Sequence, residues 1–260
     1  MDFLEQLNSQ QRIATTHIEG PLLVLAGAGS GKTRVVTYRI AHLLKIGVPS
    51  SEILAVTFTN KAADEMRQRI FHLTEETILS CTFHSLCARI LRESSNHLRY
   101  HSDLTIYDEE ESEKVIRECL KTLGLKEDKA TLKTLKMQIS QAKNALNQPE
   151  SIPFDEKPLC QVYGMYQQKL KEYNALDFDD LLYLTVSLLK SNRQVLDIYQ
   201  RRWSFILIDE YQDTNMAQYI LIRLLAAHHN NVFAVGDPDQ SIYSWRGANV
   251  HNILNFEKDF

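Results

Sequence analysis

Eight consecutive residues, Ala26-Gly27-Ala28-Gly29-Ser30-Gly31-Lys32-Thr33, form a glycine-rich run closed by a lysine and a hydroxyl residue. Such a run lets backbone N–H groups turn inward around phosphate oxygens. A helix beginning at the lysine adds the partial positive charge of its N-terminus. Lys32 would then reach the β- and γ-phosphates of a nucleotide, and Thr33 would place its hydroxyl on Mg²⁺. The first position is Ala26 where the strict pattern has glycine, and a small residue suffices there. A second constellation, Asp209-Glu210, closes the apolar run Phe205-Ile206-Leu207-Ile208. A strand-end aspartate can hold Mg²⁺, and an adjacent glutamate can orient or deprotonate an attacking water. Taken alone, the acidic pair reads equally well as a solvated strand end. Together with the phosphate loop it points to nucleotide hydrolysis.

Both constellations need a scaffold that brings them together. Leu22–Leu25, Ile53–Val56, Phe205–Ile208 and Val232–Val235 are continuous apolar, β-branched runs, with a shorter candidate at Thr77–Ser80. Runs without polar alternation suit a parallel sheet covered by helices on both faces. Helical patterns near Lys32–Leu44 and Ala62–Leu73 follow the first two runs, the alternation of an α/β fold. From about residue 93 to 202 helical periodicity dominates. Asp108 followed by Glu111 predicts a capped helix start leading into Val115, Ile116, Cys119, Leu120 and Leu123, with Gly124 as its stop. Leu132, Leu135, Ile139, Ala142 and Leu146 make one apolar helix face. Pro149, Pro153 and Pro158 mark a loop before a further helical stretch at about Leu159–Tyr173. The expected architecture is a parallel-sheet domain of residues 1–92 and 203–260, interrupted by an all-helical insertion at 93–202.

Composition sets wide bounds. The 260 residues are 44% hydrophobic and 24% charged, with a formal net charge of −4, ordinary for a soluble globular protein. No apolar run approaches the roughly 20 residues of a membrane span, and the N-terminus lacks the pattern of a secretory signal. Cys81, Cys87, Cys119 and Cys160 have no metal-ligand spacing and read as reduced thiols of a cytoplasmic protein. Net acidity does not exclude nucleic acid, because binding depends on a local groove.

The chemical blocks occur in a definite order. Leu7-Asn8 with Gln11 comes first, then Ala26–Thr33, Thr57-Phe58-Thr59-Asn60-Lys61-Ala62-Ala63, Thr82-Phe83-His84-Ser85 and Asp177-Phe178-Asp179-Asp180-Leu181. Ile208-Asp209-Glu210-Tyr211-Gln212-Asp213 and Val235-Gly236-Asp237-Pro238-Asp239-Gln240-Ser241-Ile242-Tyr243-Ser244-Trp245-Arg246-Gly247-Ala248 complete the series. In this order, from Leu7 to Ala248, the chain resembles the UvrD/PcrA/Rep helicases of superfamily I. The resemblance implies a RecA-like P-loop domain, 1A, carrying an inserted helical subdomain, 1B. It implies ATP and Mg²⁺ as ligands, with Gln11 hydrogen-bonding adenine beside Arg12. Ala28, Gly29, Ser30, Gly31, Lys32 and Thr33 would hold the phosphates. Asp209 and Thr33 would hold the metal, and Lys32, Asp209, Glu210 and Gln240 would carry the chemistry. Gln212 and Gln240 would sense the γ-phosphate and link it to DNA. Phe58, Thr59, Asn60, His84, Tyr243, Trp245 and Arg246 would lie in or beside a single-strand DNA track, where stacking on rings is worth ~1–3 kcal/mol per base.

These positions also have plainer readings. Phe58 could be core, His84 a helix cap or core histidine, and Tyr243 with Trp245 a packed pair. Asp177, Asp179 and Asp180 read better as helix-capping carboxylates than as metal ligands. Lys129, Lys133, Lys136 and Lys143 form a basic stripe that suits either an ordinary solvated face, the favoured reading, or DNA phosphates. The resemblance further implies an ATP-dependent 3′-to-5′ translocase acting on single-stranded DNA and single/double-strand junctions in repair or replication. An AddA/RecB-like helicase–nuclease and a non-hydrolysing nucleotide- or DNA-binding module are the alternatives. The family's second motor domain, with its Gln-x-Tyr-Arg-Ser block and late arginine, is not among these residues. The chain by itself is therefore expected not to unwind DNA.

Overall fold

The computed structural model describes residues 3–98, 100–101, 103–153, 157–240 and 251–260, with only the backbone of His251. The chain opens with α1 (Ser9–Thr16), β1 (Leu22–Leu25), α2 (Lys32–Lys45), β2 (Ile53–Thr57), α3 (Asn60–Thr74), β3 (Leu79–Thr82) and α4 (Phe83–Glu93). Helices follow as α5 (Ser95–Leu98), α6 (Glu109–Thr122), α7 (Lys129–Asn144), α8 (Lys157–Glu172), α9 (Phe178–Ser191) and α10 (Arg193–Arg202). The chain then runs through β4 (Phe205–Ile208), α11 (Met216–Ala226), β5 (Val232–Gly236) and α12 (His251–Asp259).

Two compact units result, residues 1–86 with 192–260, and residues 87–191. In the first, five parallel strands stand in the order β1-β5-β4-β2-β3. Ile53, Ala55, Leu207, Phe233 and Val235 turn to one face and pack with Val35, Val36, Ile40 and Leu43 of α2 and Met66 and Ile70 of α3. Because side chains alternate along a strand, Leu54, Val56, Ile206 and Ile208 point to the other face, where α11 meets β4. Both faces of the central strands β2, β4 and β5 are thus covered, which is why they read as unbroken apolar runs. The shorter candidate at Thr77–Ser80 is displaced from expectation. The strand is Leu79–Thr82, because pairing with β2 joins Leu54 to Leu79 and Thr57 to Thr82.

The second unit has its own core, made by Val115, Ile116, Cys119 and Leu120 of α6, Leu132, Leu135, Ile139 and Ala142 of α7, and Leu159, Val162, Tyr163, Tyr166 and Leu170 of α8. Its helix start is the anticipated capping box: Asp108 accepts from the Glu111 N–H, and Glu111 accepts from the Asp108 N–H. Gly124 follows the end of α6 at φ 67°. A two-residue parallel ladder joins Thr105–Ile106 to Ala175–Leu176, so the unit is not purely helical. The division between units also differs from the expected one. It falls at 86/87 and 191/192; at the second boundary α10 packs on α11 and so belongs with the sheet. Among the described residues no helix is long and apolar enough to cross a membrane.

Two features of this unit correct the sequence reading. Lys143 is not part of a basic stripe. It is fully buried, 2.6 Å from Asp177 Oδ2 and 2.8 Å from Asp180 Oδ1, with its ammonium 4.9 Å from the Tyr166 ring centroid. Lys136 pairs with Glu109, leaving Lys129 and Lys133 exposed. Asp177 and Asp180 do cap α9, each accepting the other's backbone N–H at 2.8 and 3.1 Å. They also clamp Lys143, a role beyond capping. Asp179 accepts from Asn144 Nδ2 at 2.8 Å.

Candidate nucleotide site and nucleic-acid face

In a parallel sheet all carboxyl ends lie along one edge, and α/β proteins place ligands there. The glycine-rich loop leaves β1, Asp209 closes β4, and Asp237 follows β5, so three adjacent strands supply one site. The loop is fixed at its base by the Ala26 N–H, which donates to Gly236 O at 3.1 Å, while its crest from Gly27 to Ser30 is exposed. This crest holds Ala28 and Gly29. Gly31, at φ 87°, is the left-handed N-cap of α2 and brings no side-chain cap. The first N–H groups of α2 are thus left to an incoming anion. A Cβ on Gly31 would also lie 3.0 Å from Gln11 Nε2.

Gln11 is occupied at both ends of its amide. Nε2 donates to Ser30 O at 2.9 Å, and Oε1 accepts the Asn8 N–H at 3.2 Å in a capping box on α1. It therefore sits against the phosphate loop, with Arg12 exposed beside it.

Lys32 is buried, and its ammonium donates to Ala26 O at 3.1 Å and to Asp237 Oδ2 at 3.4 Å. The Thr33 hydroxyl donates to Asp209 Oδ2 at 2.9 Å. Burial pushes the Asp209 carboxyl up to about 6. The Glu210 charge adds to the rise, and hydrogen bonds from Thr33 and the Glu210 N–H oppose it. Glu210 is itself left-handed, at φ 56°. Its carboxylate accepts from Gln212 Nε2 at 2.8 Å, and Gln212 Oε1 accepts the Asp237 N–H at 2.9 Å. Gln240 donates its side-chain amide to Asp237 Oδ2. For Asp237, burial opposes the charge. Hydrogen bonds from the Asp239 N–H, Gln240 and Lys32 outweigh it and hold the carboxyl below its ordinary range.

Asp237 is the residue that sequence reasoning left without a role. Its position next to a buried strand end was visible, but its partner Lys32 lies 205 residues away. The remaining members of the ATP set, Lys32, Thr33, Asp209, Glu210, Gln212 and Gln240, are brought into one hydrogen-bonded neighbourhood around Asp209 and Asp237.

The DNA candidates follow the next two strands. Phe58 follows β2, half-buried, with its ring 5.6 Å from that of buried Phe83 in an edge-on pair. Thr59 caps α3 by accepting the Ala62 N–H at 3.1 Å, and Asn60, its first helical residue, is exposed. His84 lies half-buried in the first turn of α4. Tyr243, Trp245 and Arg246 lie outside the described residues.

The family model described as UvrD/REP helicase N-terminal domain matches residues 7–260. The chain is 44% identical to the ATP-dependent DNA helicase PcrA of Staphylococcus aureus strain Mu50, an alignment covering 99% of this chain and 36% of that protein. The protein of the same name from Staphylococcus epidermidis strain RP62A is also 44% identical, over the same shares of the two chains. The chain thus spans 36% of the length of these curated relatives.

Proposed function

The chain belongs to the UvrD/REP helicase family through its N-terminal domain, and from that premise we propose that it is the ATP-binding portion of a cytoplasmic, ATP-dependent 3′-to-5′ single-stranded DNA translocase and helicase. It acts in repair or replication, on single strands and single/double-strand junctions. The observation that carries the reading is the contact between Thr33 and Asp209 beneath a glycine-rich loop whose lysine is already aimed inward. The loop and the N-terminus of α2 bind the phosphates, Lys32 neutralises them, and Gln11, whose amide keeps a second hydrogen and a second lone pair beyond its bonds to Ser30 and Asn8, takes the adenine edge. Glu210 accepts the proton of the attacking water. Phe58 and His84, at the ends of β2 and β3, together with Tyr243, Trp245 and Arg246, grip the strand by stacking and polar contact.

Mg²⁺ fits the donor set. The buried Asp209 carboxylate, raised by burial and only partly offset by Lys32, stands beside the Thr33 hydroxyl, and Mg²⁺ is commonly held by one or two carboxylates plus substrate phosphates. Asp209 and Thr33 would hold it, and when bound it would neutralise charge developing on the phosphate oxygens.

The test uses the full-length protein. ATP hydrolysis should rise with single-stranded DNA and vanish in Lys32→Ala, and unwinding should require a 3′ tail. Turnover that persists in Lys32→Ala would sink the assignment of this site, and unwinding from a 5′ tail alone would reverse the direction.

A further inference from the structure

The left-handed turn at Glu210 places the proposed base in a conformation that a non-glycine residue adopts at a cost, and something must hold it there. The hydrogen bonds around it single out Gln212. The Asp237 backbone N–H is a donor only, so the Gln212 oxygen must face it, which turns the Gln212 NH₂ toward Glu210. One buried amide thereby ties the Glu210 carboxylate to the end of β5. It can sit so close only because residue 236 has no side chain. A Cβ there would stand 2.9 Å from Gln212 Oε1 and 3.4 Å from the Gln212 backbone nitrogen. Gly236 is not in the left-handed region, so its backbone alone does not call for glycine.

We propose that Gln212 is the positioning residue of the general base, fixing the Glu210 carboxylate by donation from Nε2, and that Gly236 is the gap that admits it. The proposal rests on the reading of Glu210 as base. Its consequence is a link between the two sides of the site. Asp237, whose N–H orients the Gln212 amide, also accepts from Lys32 and Gln240. A shift at the phosphate-contacting lysine or at Gln240 therefore reaches Glu210 through one side chain.

Four variants of the full-length protein test this, read as kcat against KM for ATP together with ADP affinity. Gln212→Glu keeps the shape and the oxygen that faces Asp237 but replaces the donor with an acceptor facing Glu210. Gly236→Ala leaves Gln212 chemically intact and displaces it. The third is the double variant Gln212→Ala/Gly236→Ala, compared with the fourth, Gln212→Ala. We expect kcat in each single variant to fall by about tenfold or more, a part of the ~10²–10⁴ that a positioned base contributes, while KM and ADP affinity stay within about twofold. The double variant should be no slower than Gln212→Ala, because interacting residues are non-additive. A normal kcat in Gln212→Glu, or additive losses in the double variant, would overturn the proposal. So would losses appearing equally in ADP affinity, the mark of general disruption. Glu210→Gln separates this failure from that of the underlying reading. If Glu210→Gln turns over normally, the base assignment is wrong. If it is inactive while the Gln212 and Gly236 variants are normal, only the positioning role is wrong.

Discussion

At the scale of single residues the site stores electrostatic strain in Asp209. Its carboxyl has a folded-state value of about 6 against an ordinary 3.8, chiefly because it is buried. Between those values the folded chain keeps a proton that the unfolded chain releases. Folding is favoured on the acid side of the window, and this contribution is lost as pH rises through about 6. A shift of this size corresponds to at most ~3 kcal/mol. Asp209→Asn removes the buried charge while keeping the shape. In the nucleotide-free protein it should raise Tm by a few degrees at about pH 7.5, with the gain shrinking toward pH 4. Thermal melts across that range decide it: a gain independent of pH, or a lower Tm at pH 7.5, refutes the account. The same variant should lose Mg²⁺-dependent hydrolysis, so the group that destabilises the fold is the one the proposed chemistry needs.

At the scale of elements, α7 shows how a charged residue can belong to a core. Lys143 stands four residues after Ile139 and three before Leu146, on the flank of the apolar face rather than opposite it. The spacing was therefore visible, but nothing in α7 itself announces Asp177 and Asp180, which arrive from the start of α9. Burial alone would lower the Lys143 pKa, and the two carboxylates reverse this and raise it. Asp177 is correspondingly held low by the ammonium, while Asp180, buried beside Asp177, rises to about 6. Lys143→Met would leave two buried carboxylates without their cation, and breaking a buried pair costs ~3–5 kcal/mol. Exposed Lys133→Ala should cost no more than ~0.5 kcal/mol. Urea unfolding of the two variants tests the contrast, and equal midpoints would refute it.

At the scale of the whole molecule the expected activity depends on more than this chain's own site. In the proposed reading Lys32 and Asp209 would bind phosphate and metal, whereas an arginine finger delivered from another segment can add a factor of ~10³–10⁵ in phosphoryl transfer. We predict that a 260-residue polypeptide of this sequence binds ADP, yet gains less than about twofold in ATPase from single-stranded DNA, while the full-length protein is strongly stimulated. Strong stimulation of the short chain, abolished by Lys32→Ala, would contradict this. The net charge of −4 leaves any DNA contact to a local groove and to rings such as Phe58, so the salt dependence should be that of a few phosphates rather than of a broadly basic surface.

The sequence by itself determined the sheet and its ligand edge. Strands buried on both faces must be continuous apolar runs, so β2, β4 and β5 declared themselves; the partly exposed edge strand β1 was equally apolar, and the glycine-rich loop and the acidic pair stood at two of their ends. The capping box at Asp108 was legible for the same reason, since both partners lie within one turn. Tertiary structure decided what depends on distant partners. Thr33 meets Asp209 across 176 residues and Lys32 meets Asp237 across 205. Gln212 meets Asp237 through a gap that only the packing of β5 reveals. Helix α10 joined the sheet unit, and Lys143 left the surface for the core. Local periodicity reports which face of an element is buried, but the identity of the group lying opposite is fixed only when the strands and helices come into register.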